Sequence, residues 1–122
     1  LYTSLKPYIQ KYREDCQLTP NQWPEKYGFE QIRFKRYLPN DKDEFKSHVD
    51  VGDYASARRF LVFFLYLDDN EEGWTGFDDD NLKVQPKAGR LLMFPPTWTF
   101  PHTAYKAKNK PKYIVGSYLH YL

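Results

Sequence analysis

RRFLVFFLYLDD, residues 58–69, is the longest apolar run in the chain. It is rich in Phe, Leu, Val and Tyr and stops after about ten residues, which reads as a buried strand rather than a helix. On such a strand Arg59, Leu61, Phe63 and Leu65 share one face, so the three apolar residues are either core or the wall of a pocket. Working outward, Phe29, Ile32, Phe34 and Tyr37 lie in a charged, extended run that ends in the turn PNDKDE at 39–44. On the other side, EEGWTGFDDDN (71–81) gives a glycine-containing turn and then an acidic one. Leu82–Val84, RLLMF at 90–94 and YIVGSYLHYL at 113–122 read as further strands. Turns at Pro86–Gly89 and Pro95–Pro96 and a lysine-rich loop within PHTAYKAKNKPK (101–112) separate them. Residues 1–22 form a polar, amphipathic opening in which Ser4 is a candidate cap, Pro7 suits the first turn, and Tyr8, Ile9 and Tyr12 make a stripe. Pro20 and Pro24 close it. Six or more strands after one helix predict a mainly β fold, a small sandwich or jelly roll.

A chain of 122 residues holds one domain, 1–122, read as helical support over 1–24 and a β core over 27–122. An aromatic content of 19% favours β structure with a core built from rings. The mixture of 18 basic and 16 acidic residues offers no basic groove and argues against nucleic acid as a partner. Cys16, the sole cysteine, excludes an internal disulfide and fits a reducing, cytoplasmic setting. No apolar run nears the roughly 20 residues of a membrane-spanning helix, so no membrane partner is expected. The chain starts at Leu1 rather than Met, as a trimmed sequence does.

Within DKDEFKSHVDVGD (41–53), His48 and Asp50 alternate. In an extended segment both side chains would aim at one point. The chain has three histidines, and His102 stands after Pro101 at the start of what reads as the last hairpin. His48, Asp50 and His102 together would be two imidazoles and one carboxylate, the facial donor set of non-haem Fe(II) sites. Zinc accepts the same donors, but HExxH is absent and the strand-borne spacing favours iron. Lys112 shares parity with Ile114, Gly116, Tyr118 and His120. A lysine facing inward is costly to bury without an anion, and a dicarboxylate co-substrate would supply one. Lys106, Lys108 and Lys110 read as a solvated loop, and His120 as a packed or surface residue.

YLDDNEEGWTGF (66–77), VQPKAGRLLMFPP (84–96) and PHTAYKAKNKPKYIVGSYLHY (101–121) resemble the 2-oxoglutarate and Fe(II)-dependent dioxygenases, in particular the prolyl 4-hydroxylase-like group. That group has an HxD strand, a strand ending YLN before EEGGET, a PxxGxxxxF segment, and a distal histidine with a lysine ten residues on. The match runs from about residue 27 to the C-terminus. It implies a double-stranded β-helix of the cupin-like jelly-roll kind with a supporting N-terminal helix, and an oxidoreductase that uses Fe(II), 2-oxoglutarate and O2, with ascorbate a further candidate cofactor.

The resemblance assigns His48, Asp50 and His102 to the metal, and Lys112 and Thr75 to the distal carboxylate of 2-oxoglutarate. Tyr37 matches a tyrosine that bonds the same carboxylate, although the loop after it is longer here by about two residues. Tyr118 stands where a tryptophan usually lines the co-substrate site. Arg59 matches an arginine that reaches toward the peptide substrate, or is simply solvated. The loop VGDYASAR (51–58) reads as a lid or as plain surface, and Tyr54, Trp74 and Trp98 are candidates to stack on prolyl rings. Trp74 replaces the second glycine of the EEGGET turn. The implied partner is a proline-containing peptide or protein. The alternatives are lysyl residues, a free amino acid or a nucleobase as substrate, or a jelly-roll binding module without catalysis.

Overall fold

The computed structural model describes residues 2–122; Leu1 lies outside the described residues. One helix and nine strands follow in the order α1 (Tyr2–Asp15), β1 (Tyr27–Phe29), β2 (Arg33–Tyr37), β3 (Phe45–His48), β4 (Arg59–Tyr66), β5 (Thr75–Phe77), β6 (Leu82–Val84), β7 (Leu91–Phe94), β8 (His102–Ala104) and β9 (Lys112–Tyr121). Short 3-10 turns at Pro20–Gln22 and Asp78–Asp80 interrupt the loops. No helix among the described residues is long and apolar enough to cross a membrane.

Two antiparallel sheets face each other in a jelly-roll arrangement. In the larger, β9 pairs along one edge with β1 and then β2, and along the other with β4, which in turn pairs with β7. The smaller sheet runs β3-β8-β5-β6. The last two strands therefore lie in different sheets, and His102 does not open a hairpin. The run 101–112 crosses between sheets, which its length allows and a tight hairpin does not need.

The outer face of the large sheet is covered by α1. Leu5 and Ile9 are buried against Leu61, Phe63 and Leu119, with Tyr12 packed beside them. The helix stripe is thus Leu5, Ile9 and Tyr12, the i, i+4, i+7 spacing, and Tyr8 faces solvent. Ser4 is no cap, because the helix already includes Tyr2, and Pro7 lies inside it, where the missing N–H costs one backbone bond.

The face of β4 turned toward the other sheet carries Val62, Phe64 and Tyr66, not Leu61, Phe63 and Leu65. A bulge causes the exchange. Arg59 opposes His120 and Leu61 opposes Leu119, so Phe60 is an extra residue in the ladder. An added residue flips the parity of everything beyond it. Arg59 consequently joins Val62, Phe64 and Tyr66 on the inner face. On β9 the even positions Lys112, Ile114 and Tyr118 look inward, as the alternation predicts.

Gly116 lies between them, and a Cβ there would overlap the Phe63 carbonyl oxygen and the Phe64 side chain. We expect Gly116→Ala to lower stability by about 2–3 kcal/mol in urea titrations, because the clash is with backbone in the central ladder. Gly52→Ala, where an added Cβ meets nothing within 4 Å, should shift it by less than about 0.5 kcal/mol.

Candidate active site

His48 and His102 face each other across the pair β3–β8, directly opposite in register, with ring centroids 4.4 Å apart. β3 ends at His48, so Asp50 is not carried on the strand itself. Its position comes from the turn that follows, where the Asp50 and Val51 N–H groups both donate to the Pro96 carbonyl at 3.0 and 3.1 Å. Phe94 stacks edge-on against His102 at 4.8 Å, which fixes the ring in an apolar setting.

The tautomers follow from the hydrogen bonds. His48 Nδ1 lies 2.7 Å from the Lys46 carbonyl and His102 Nδ1 lies 3.1 Å from the Phe100 carbonyl. A carbonyl only accepts, so each Nδ1 carries the proton and a neutral ring turns a bare Nε2 lone pair inward. Both Nε2 atoms face Asp50 Oδ1, at 3.3 and 3.6 Å. Three ligand atoms, all within 4.8 Å of one another, thus point their lone pairs at one space. Such a set repels itself unless a cation or a proton is shared. Asp50 raises the His48 pKa accordingly. Burial works against ionisation of Asp50, but the His102 and His48 imidazoles beside it hold its carboxyl well below the usual range. Two imidazoles and a carboxylate with no thiolate nearby fit Fe(II).

The triad opens into a cavity of about 210 Å³ between the sheets. Lys112 lies in its wall, 2% exposed. Its ammonium donates to the Gly73 carbonyl at 2.9 Å and sits 4.2 Å above the Tyr37 ring, and no carboxylate among the described residues pairs with it. Burial pulls its pKa down from 10.5 to about 8. Thr75 and Tyr66 share a 2.6 Å hydroxyl–hydroxyl bond in the same cavity. Burial pushes the Tyr37 and Tyr66 phenols up to about 12, so both keep their protons as donors at neutral pH. An ammonium and three hydroxyls around one space form a receptor for a carboxylate. Sequence reasoning passed over one lining residue and one that supports the turn beside it. Tyr66 was hidden by the bulge, and Asn70, buried, holds the turn by accepting from Gly73 N at 2.8 Å and donating to the Lys110 carbonyl at 2.9 Å.

Arg59 reaches the site but is fully engaged there. Glu30 takes its Nε and Nη2 at 2.6 and 3.2 Å, Nη1 donates to the Asp50 carbonyl at 3.0 Å, and the guanidinium stacks 4.1 Å from the Tyr118 ring. His120, reckoned a packed or surface residue, bonds the same Glu30 carboxylate. Tyr118 lines the cavity beside Asp50. Tyr54, at 98% exposure, and Trp98, at 81%, stand clear of the cavity wall. Trp74 folds back to donate its indole N–H to the Glu71 carbonyl and also lies outside the wall.

Residues 32–120 match the sequence profile of the 2OG-Fe(II) oxygenase superfamily, and the chain belongs to that family. Its chemistry is that of a 2-oxoglutarate-dependent dioxygenase using Fe(II). The structure is similar to the viral collagen prolyl hydroxylase of Paramecium Bursaria Chlorella virus-1 bound to 2OG, with TM-score 0.69 and 24% identity over 93% of this chain and 71% of that one. A Pseudomonas putida prolyl-4-hydroxylase gives 0.62 and 18%, over 92% and 61% of the two chains. A Trichoplax adhaerens prolyl hydroxylase in complex with a hypoxia inducible factor peptide fragment gives 0.64 and 19%, over 76% and 44%. At these identities the likeness bears on the fold. No curated protein matches the chain.

The Lys112 site sets a sign for stability. With the folded pKa at about 8 and the unfolded value at 10.5, the buried charge opposes folding fully below pH 8, and the penalty fades between the two values. We expect Lys112→Met to stabilise the ligand-free chain at pH 7 by about 2 kcal/mol, net of the lost bond to Gly73. The gain should shrink toward pH 10 in thermal melts.

Proposed function

We propose that the protein hydroxylates prolyl residues in a peptide or protein, at Fe(II) held by His48, Asp50 and His102, with 2-oxoglutarate and O2 as co-substrates. The observation that carries this reading is the union, in one cavity, of three converging lone-pair donors and a buried ammonium without a counterion. Bound Fe(II) supplies the oxidising chemistry of the superfamily, coupled to consumption of 2-oxoglutarate.

The chain supplies position and dryness. Lys112 receives the far carboxylate of the co-substrate, and its unsatisfied charge gives that carboxylate a partner worth far more in the interior than in water. Tyr37 and the Thr75–Tyr66 pair orient the same carboxylate through donated hydrogen bonds. Val62, Phe64 and Ile114 line the cavity with apolar surface and exclude water. The Lys46 and Phe100 carbonyls keep both Nε2 atoms free to ligate. The prolyl assignment draws on the resemblance of the motifs to prolyl 4-hydroxylases and on the structural neighbours named above.

Succinate release from 2-oxoglutarate, with Fe(II), ascorbate as external reductant and proline-rich peptides, tests the reading. We expect peptide-stimulated release and a 16 Da gain on the peptide, with His48→Ala and His102→Ala at background. Turnover that survives His48→Ala overturns the metal assignment; peptides left unmodified while lysyl peptides, free amino acids or oligonucleotides are oxidised overturn the substrate.

Lys112 also predicts a pH dependence. The dianion binds the protonated lysine, so affinity for 2-oxoglutarate should be flat below pH 8 and weaken by up to about tenfold per unit above it. Titration calorimetry with Fe(II) under nitrogen measures this. Lys112→Met should bind 2-oxoglutarate at least about 100-fold more weakly at pH 7.

A further inference from the structure

Beside the cavity, and sharing Lys35, Val62, Phe64, Ile114 and Tyr118 with it, lies a recess of about 50 Å³. Gly116 forms its floor. That position of β9 adds no side chain to the lining, and Phe63 and Phe64 fill the space directly over it. The rim is β2, whose inward positions Arg33 and Lys35 pair in register with Gly116 and Ile114. β2 has a neighbour on one side only, so both side chains stand at the sheet edge, exposed.

The charges around this opening divide into two groups. Glu30 is held by Arg59 and His120, and Asp50 faces the two imidazoles. Arg33 and Lys35 form no ion pair among the described residues. Lys35 instead leans across the cavity mouth, its ammonium 5.5 Å from the Phe45 ring, which lines the cavity. Along this edge a substrate passes two cations without an ion pair, while the carboxylates that line the recess and the cavity, Glu30 and Asp50, are already engaged.

We propose that Arg33 and Lys35 select peptide substrates with an aspartate or glutamate close to the residue that is hydroxylated. The inference rests on the oxygenase reading above for the reaction, but the recognition itself is a matter of charge. Two cations beside a narrow recess match one or two carboxylates. A nucleic-acid strand asks for a longer track of phosphate contacts than two cations supply, and a net charge of +2 adds little general attraction. An arginine or lysine at the same place in a peptide would meet like charge, so the rim discriminates by repulsion as well as attraction.

Fluorescein-labelled proline peptides that differ only in flanking Glu, Ala or Lys, and a single-stranded oligonucleotide of the same charge as the Glu peptide, are titrated into the full chain by fluorescence polarisation. We expect the Glu peptide to bind about tenfold more tightly than the Ala peptide at low salt, and the margin to narrow with added salt. Arg33→Glu combined with Lys35→Glu should invert the order, so that the Lys peptide binds best. Arg33→Gln with Lys35→Gln should bring all three peptides together, which serves if the charge reversal unfolds the chain in thermal melts. Equal affinity for the three peptides in the unaltered protein, an order unchanged in the glutamine variant, or tighter binding of the oligonucleotide overturns the proposal. Succinate release separates the two readings. Selective binding of the Glu peptide without any 2-oxoglutarate turnover would leave the rim assignment standing and remove the enzyme, whereas turnover without peptide selectivity does the reverse.

Discussion

The antiparallel ladder between β4 and β9, Leu61 to Tyr66 against Ile114 to Leu119, determines which side chains meet the cavity and which meet the helix. Period-two alternation leaves no intermediate choice: a residue in that ladder faces α1 or faces the other sheet. Leu61, Phe63 and Leu119 go outward to Leu5 and Ile9, and Val62, Phe64, Tyr66, Ile114 and Tyr118 go inward. The single extra residue, Phe60, then returns Arg59 to the inner face, where it can touch Asp50 and Glu30. Had the bulge been absent, Arg59 would look toward α1 and the Glu30–His120 pair would lack its cation. Gly116 is part of the same constraint, since the strands approach too closely at that point for any side chain.

Much of the site was legible in the sequence, partly from spacing and parity and partly from the resemblance of its motifs to the dioxygenases. Alternation brought out His48 and Asp50, parity and the cost of burial brought out Lys112, and the resemblance of the motifs supplied Thr75, Tyr37 and Tyr118. The structure brings His48, Asp50, His102, Lys112, Thr75, Tyr37 and Tyr118 around one cavity. The large sheet was legible for a different reason: β4, β7 and β9 are long enough, or apolar enough, to show their period.

The small sheet was legible only at β6, because β5 and β8 have three residues each and β3 four, too short for alternation to emerge. These strands are held by their neighbours rather than by their own composition. Tyr66 and the inner wall were misplaced for another reason, that a bulge leaves no mark in a run where every residue is apolar. Leu5 was missed in favour of Tyr8 because the stripe of a helix this polar is only three residues wide. Arg59 is the subtler case. Its sequence position suggested a hand extended to substrate, and nothing local revealed that Glu30, 29 residues earlier, would occupy the guanidinium.

That occupation shapes the charge of the whole opening. Glu30 accepts from Arg59 and His120, and despite the opposing effect of burial these hydrogen bonds keep its carboxyl below the ordinary range, so the cluster stays ionised and internally balanced at neutral pH. Arg59 then acts as a strut: one Nη holds the Asp50 carbonyl while the plane of the guanidinium backs the Tyr118 ring. An arginine fixed on three sides has little freedom left to follow a ligand, and its field is largely cancelled by the carboxylate beside it. Lys112 differs: its buried ammonium meets the Gly73 carbonyl and the Tyr37 ring, and no carboxylate pairs with it among the described residues. Between the cancelled arginine and the buried lysine, Arg33 and Lys35 on the exposed edge of β2 are the charges without an ion pair that line the recess.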